Sequence, residues 1–531
     1  MSGTECQHGG IIVESPVPIR DTHLSIDDPR GESEEGRHST SHTVRPSRAA
    51  TYPPITISPA PSVPIRSRKF GGQLSERTDG TPVVDRLTRA MSIPVGRPPS
   101  IRRQLRSILL ASLMINMLLL AIPISWALHF AVPGQYTLVF LFSLIAIIPL
   151  AKLLAFATKE LSMRVGETLA GLINTTLGSA VELIVAIIAL VKCELRVVQS
   201  SLVGSILRNL LLVLGFCFFV GGTKFSEQGF PIRAAHVNSS LLNLSVFGVL
   251  IPAGLDVVAG NRQISGFDAE TEQRNILKLS HGLAVVLLIM YLSYIYFQLF
   301  SHKNLYHDEA LPRPETIRYA APDGPSWIEL AKARARKALN IAPGRTDTEQ
   351  QKPEETEEGE AEPELSLSMA IGLLVVVTTL VAVTTESLVD SIDGLASSGK
   401  ISEEFIGLIL LPFVRLVGNP TEHVTAVTVS MKDKLSLSLG VAVGSSLQTA
   451  LFVIPFTIIL GWIIGRPITM LFDPFESIVL FLAVLTVNYV VQNGKSNWLK
   501  GIIMICFYVI VALLSWFYPG TKPPGLLTCS V

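Results

Sequence analysis

Charged residues are scarce in this chain. Of 531 residues only 16% are Asp, Glu, Lys or Arg, and 43 bases balance 43 acids. A neutral balance excludes the basic footprint that nucleic-acid binding needs. Cysteine is scarcer still. Cys6, Cys193, Cys217, Cys506 and Cys529 lie far apart with no C-x-x-C pair, so neither a disulfide framework nor a zinc site is expected. No secretory leader is legible at the start. The first hundred residues also lack an apolar run of spanning length and are rich in Pro, Ser, Arg and Gly. Residues 1–104 are expected to form a disordered cytosolic tail.

Apolar residues are what the chain has in quantity. They make up 48% of it, and mean hydropathy is +0.45, as in a polytopic membrane protein. A helix crosses a bilayer with about 20 residues. Eleven stretches suffice: 105–128, 135–156, 166–191, 198–221, 235–255, 275–300, 367–390, 402–430, 437–463, 470–491 and 499–517. The one long internal break, 301–366, is polar and carries the acidic run "PEETEEGEAEPE" at 353–364. That run reads either as solvated linker or as a cation-sensing segment. Loop charges set the orientation. With the N-terminus cytosolic beside "SIRRQLRS", the cytosolic loops hold Lys159, Arg164, Lys224, Arg233, Lys432, Lys434 and Lys495, and the long loop adds Arg313 and Arg318. The opposite loops hold only Lys192, Arg196, Arg262, Lys400 and Arg466. The tail 519–531 then falls on the far side.

The chain repeats itself. "GSAVELIVAIIALVK" (178–192) aligns without a gap on "GNPTEHVTAVTVSMK" (418–432), so that Gly178 matches Gly418, Glu182 matches Glu422 and Lys192 matches Lys432. The same offset of 240 brings "VGSIL" (203–207) onto "VGSSL" (443–447). After a leading helix at 105–128, the spans divide into repeats at 135–300 and 367–518. Each repeat has five spans, an odd number, so the second is inverted. The expected fold is an all-α membrane protein of eleven helices, with broken helices at mid-membrane where the repeats meet. Gly171, Thr175, Gly178 and Glu182 fall on one face of the expected 166–191 helix. Gly418 and Pro420 should break the second acid-bearing helix just before Glu422.

Glu182 stands alone among apolar and small residues in "LGSAVELIVAIIAL" (177–190). An isolated charge in lipid costs about 2.5 kcal/mol or more, so the acid needs a partner, a proton or an ion. Its matched acid Glu422 supplies the first clue. Two carboxylates, with Ser179, Asn419, Ser205, Ser445, Gln448 and the backbone at Gly178 and Gly418, form an all-oxygen set suited to a hard divalent ion. No Cys or Met joins it, which disfavours a soft metal; His423 leaves a borderline one open, or only a hydrogen-bond network. Asn174 and Asn209 read as interhelical contacts or as ligands. Two acids that carry one divalent ion need protons once it leaves. Such a site exchanges cations for protons. That is transport rather than catalysis, with no cofactor beyond the carried ions and with the bilayer as partner.

These residues resemble the calcium/proton exchanger family of the cation/Ca²⁺ exchanger superfamily. The resemblance runs from about 130 to 518 and is most specific in "GSAVELIVAI", "GSILRNLLLVLG" (204–215), "ISEEFIGLILLP" (401–412), the 421–455 stretch and "NGKSNWLKG" (493–501). It implies a multi-pass vacuolar protein, similar to fungal and plant members, that removes Ca²⁺ from the cytosol at the expense of a proton gradient. Glu182 and Glu422 would then be the central carboxylates. The chain departs from the family pattern in four places. Ser179 stands where Asn is usual, and Lys159 where an acid is. Arg208 turns "GSILSN" into "GSILRN". The stretch 410–423, which includes Arg415, is also about three residues longer than usual. A fixed charge about 5 Å from the ion opposes a divalent cation by about 6 kcal/mol at an effective dielectric near 20. Arg208 therefore either pairs with Glu182 or turns aside to the interface. Two other readings remain open: exchange of Mn²⁺ or a monovalent cation, and a divergent regulator of an exchanger that does not itself transport.

Overall fold

The computed structural model describes residues 117–132, 134–164, 176–260, 269–302, 313–319, 364–397, 401–418 and 420–520, with Ser100, residues 102–104, Arg106, Ala170, Ile173, Leu305 and Cys529 besides. Residues 1–99 and 101 of the expected tail, residues 353–363 of the acidic run, and Gly171, Asn174 and Thr175 lie outside that set. Eight described helices are long and apolar enough to cross a membrane. These are α2 (Tyr136–Ser162), α4 (Leu195–Gly222), α5 (Ile232–Asp256), α6 (Gln273–Ser301), α7 (Leu367–Ser397) and three more.

 The three are α11 (Leu435–Ile464), α12 (Pro474–Val491) and α13 (Trp498–Phe517). Two shorter apolar helices accompany them, α1 (Ala121–Ala131) and α3 (Ala180–Val191). The expected 402–430 span is a chain of shorter pieces. A first turn, α8 (Glu403–Phe405), passes through a π-turn at Ile406–Leu410 into α9 (Leu411–Gly418), and α10 (Pro420–Met431) follows.

Polar caps set several of these boundaries. The Ser366 hydroxyl accepts from the Met369 amide at the start of α7, the Asp473 carboxylate from Phe475 at α12, and the Asn497 side chain from Lys500 at α13. Each satisfies an amide that the first helical turn leaves unpaired. Gly465 closes α11 in the left-handed region, at φ 74°, where a side chain is disfavoured.

One expectation needs correction. The 166–191 stretch does not continue as one helix through Glu182. Gly178 and Ser179 form a turn, and α3 starts afresh at Ala180. Gly and Ser both favour such breaks over helix interiors, so the face drawn through Gly178 to Glu182 does not exist. The break expected at Gly418 and Pro420 is present: α9 ends at Gly418 and α10 begins at Pro420.

The two aligned segments share these irregularities. α3 and α10 each run for 12 residues, and their bounds differ by the offset of 240 seen in the sequence. α4 carries a π-turn at Arg208–Val213 and α11 one at Thr449–Val453. α4 is the buried axis of the bundle, with Val198, Val203, Leu207, Leu210 and Leu214 fully enclosed. It crosses the π-turn of 406–410 closely. A Cβ on Gly204 would run into the Leu408 carbonyl, and one on Gly407 would sit 2.5 Å from the Ser200 Cβ. Small residues permit that approach. A second cluster joins α1, α2 and α7 through Ile122, Leu150, Leu154 and Val381.

Polar structure closes both ends of α4. After its C-terminus, β1 (Phe225–Gly229) lies between β2 (Ile317–Arg318) and β3 (Lys495–Ser496), antiparallel to both. Residues of the central loop are thereby stitched to two other loops. Asp433, at φ 62°, completes the clasp. It accepts from the Thr316 hydroxyl at 3.0 Å, and its carbonyl accepts from Arg313 at 3.0 Å. At the N-terminal end of α4, Cys193 is disulfide-bonded to Cys529. The partners are 336 residues apart, a separation that no local spacing rule could detect.

Candidate functional site

Glu182 lies in the first turn of α3, and Glu422 is the third residue of α10. Helix N-termini carry unpaired amides and a partial positive charge, which favour a carboxylate there. Pro420 costs little as the first residue of α10, because its missing amide would have no partner in that turn. The side chains of residues 418 to 422 and of Arg415 lie outside the described set, so the geometry that follows is that of the Glu182 half.

Glu182 is held between the two segments. The Thr449 hydroxyl, at the start of the α11 π-turn, donates to its Oε2 at 3.3 Å. The Arg208 Nη2 stands 3.5 Å from its Oε1. Arg208 opens the π-turn of α4 and is fully enclosed. Its Nη1 lies 3.5 Å from the His423 Nε2. Of the two courses open to Arg208, pairing with Glu182 is the one taken. His423 thus comes to the site through the guanidinium, from the residue next to Glu422.

The expected oxygen donors are distributed around this pair. Ser179, Ser205, Asn209 and Gln448 are all buried. The Ser179 hydroxyl, both amide atoms of Asn209 and the Gln448 Nε2 have no hydrogen-bond partner among the described residues. Ser445 supplies a carbonyl that accepts from the Thr449 hydroxyl at 3.1 Å. Gly178 sits in the turn before α3. Lys159 is exposed near the end of α2 and has no contact with Glu182 among the described ion pairs. Among the described residues no group of three or more His, Cys, Asp or Glu side chains gathers to hold a metal. Any hard cation here would rely on hydroxyl, amide and carbonyl oxygens beside the acids.

Two cavities adjoin these helices. A small one, about 40 Å³, is lined by Glu182, Ser201, Ser205, Leu388 and Pro412. A larger one, about 480 Å³, runs beside Thr425, Ala426 and Val429 of α10, with Asn238 and Ser239 of α5 opposite. Positions 422, 425, 426 and 429 share a helical face, so this cavity follows the side of α10 on which Glu422 is placed.

Sequence reasoning missed three features. Thr449 was overlooked beside Gln448. Glu160, buried next to exposed Lys159, accepts from the Leu365 amide at 2.8 Å and anchors the start of α7. The third is an ionic corner between α3 and α4. Lys192 bridges Glu386 at 2.9 Å and Asp390 at 3.1 Å, while Arg196 pairs with buried Glu404. In the same corner the Glu194 carboxyl is pushed up to about 7, first by burial and then by Asp393, Glu403 and Asp390. Only the basic members, Lys192 and Arg196, were visible as loop charges.

A bundle of apolar helices around a buried, ion-paired acid is the architecture of a membrane transporter. The model of the family described as sodium/calcium exchanger protein matches residues 135–300 and 369–517, and the chain belongs to that family. It is 41% identical to a vacuolar calcium ion transporter of Cryptococcus neoformans var. grubii, over 98% of this chain and 92% of that one. A vacuolar calcium ion transporter of Schizosaccharomyces pombe is 37% identical, over 82% of this chain and 95% of that one. Among solved structures, native YfkE matches with a TM-score of 0.55 and 28% identity, covering 76% of this chain and 100% of that one.

Proposed function

We propose that the chain is a proton-coupled antiporter that moves Ca²⁺ from the cytosol into the vacuole. The observation that carries this is the pair of matched acids, each in the first turn of a 12-residue helix, in a chain 41% identical to a vacuolar calcium ion transporter. Cation and protons would alternate on Glu182 and Glu422. Ser179, Ser205, Ser445, Asn419, Gln448 and Thr449 would orient the ion, and the acids would select its charge.

In this reading the two halves are inverted repeats of five spans, and the eleven-span count is retained. The shared bounds and π-turns of the matched helices support the repeat. Five spans per half support the inversion. The three-stranded sheet and the central loop would face the cytosol, as would the N-terminus. The Cys193–Cys529 bridge supports placing the α3–α4 corner on the opposite side, because disulfides persist in oxidising compartments. The larger cavity beside α10 would then open towards the cytosol, ready to admit a cation to Glu422.

The test is Ca²⁺ uptake by proteoliposomes with an acid interior, with and without an uncoupler. Uptake that the uncoupler abolishes supports antiport. No uptake by folded protein overturns it. The Arg208–Glu182 contact favours a second reading, exchange of a monovalent cation, with Mn²⁺ as the divalent alternative to Ca²⁺. Substituting Na⁺, K⁺ and Mn²⁺ for Ca²⁺ in the same vesicles separates the two, and inactivity with all four would leave the role of a non-transporting regulator.

A further inference from the structure

Arg208 is a fully buried cation in the middle of a cation site. Its guanidinium lies 3.5 Å from the Glu182 Oε1 and 3.5 Å from the His423 Nε2. It therefore touches the acid-bearing helix of one segment and the residue that follows the acid in the other. The matched position in the second segment is Gln448, a neutral amide. The two segments thus differ by one permanent charge at the same structural point, beside π-turns that both share. Arginine stays protonated at any physiological pH, so this charge is not discharged as the carrier cycles.

Resting on the transport reading above, we propose that Arg208 is a tethered competitor for the transported cation, a specificity-determining residue that occupies Glu182 in the empty carrier and must give it up before a divalent ion can bind. The geometry supports eviction rather than co-residence. At 3.5 Å the guanidinium and carboxylate are in contact, and a divalent ion needs its oxygens at about 2.3–2.6 Å. The carboxylate cannot serve both at full strength. A second cation kept nearby also repels the first. The consequence is weakened Ca²⁺ binding and faster release on the far side, and relative selectivity moves towards ions of lower charge.

The experiment uses the full chain, purified and reconstituted, with Arg208→Gln, Arg208→Ser and Arg208→Lys. Initial rates of uncoupler-sensitive Ca²⁺ uptake give KM and kcat, and a Ca²⁺ titration of the detergent-solubilised protein gives Kd without transport. The proposal expects both neutral variants to lower KM and Kd by about tenfold or more while kcat falls. Arg208→Lys keeps the charge and should recover most of the wild-type KM. A purely structural role would lower kcat and stability without tightening Ca²⁺ binding. Unchanged or weaker Ca²⁺ binding in folded Arg208→Gln overturns the proposal. Failure of both neutral variants to fold also overturns it, by making Arg208 a structural ion-pair partner. If the wild type takes up no Ca²⁺, the transport reading fails, and the Kd comparison still decides the competition.

Discussion

A carboxylate in a buried helix can be held by the amides of the first helical turn, by a guanidinium and by a hydroxyl. Glu182 has all three. Glu182→Gln removes the charge and keeps the shape, and should abolish uncoupler-sensitive Ca²⁺ uptake. Glu422→Gln should do the same, and flux retained by both variants would end the two-acid mechanism. Thr449→Val removes one hydrogen bond to a charged acceptor, worth about 1.5 kcal/mol at the weaker end of its range. Its expected effect is a rise of about tenfold in KM for Ca²⁺, measured in the same vesicles. The two acids were legible in the sequence because the repeat aligns them. Thr449 was not, because neighbouring helix positions point about 100° apart and the π-turn that begins there alters the local register. The offset of 240, which carries Arg208 onto Gln448, selects Gln448 instead.

At the scale of elements, close crossings and corners decide stability. Gly204 presses its backbone against the π-turn at 406–410, and a Cβ there would meet the Leu408 carbonyl and the Pro412 ring. Gly204→Ala should cost about 1–3 kcal/mol, seen as a lower Tm in detergent. Gly372→Ala, with nothing within 4 Å of the new Cβ, should not lower it. The corner between α3 and α4 responds to pH. Glu194 has its carboxyl raised from 4.5 to about 7, so the folded corner favours the protonated acid. Its contribution to stability is full below pH 4.5 and fades as pH rises through about 7. Glu194→Gln should flatten the dependence of Tm on pH between those limits. Most helices were legible from apolar length alone. Their breaks were legible where Pro420 forced one, and not at Gly178–Ser179, where two small residues only permit one.

For the whole molecule, the sheet and Asp433 hold part of the central loop against both flanking segments. Asp433→Ala removes the Thr316 and Arg313 side-chain contacts and leaves a non-glycine residue at φ 62°. The expected outcome is faster proteolysis of the 301–366 region. Cleavage at the wild-type rate would show that the strands suffice without the clasp. None of this was legible beforehand: β2 and β3 have two residues each, too short for a period, and they pair across hundreds of positions.

The bond between Cys193 and Cys529 bears on what such a cut would produce. Every site in the central loop falls between those two residues. A nicked chain would therefore remain one covalent molecule, migrating near full length on a non-reducing gel and separating into two fragments once thiol is added. Proteolysis could sever the link between the halves on one face of the bundle, while the bridge on the other kept them as a pair.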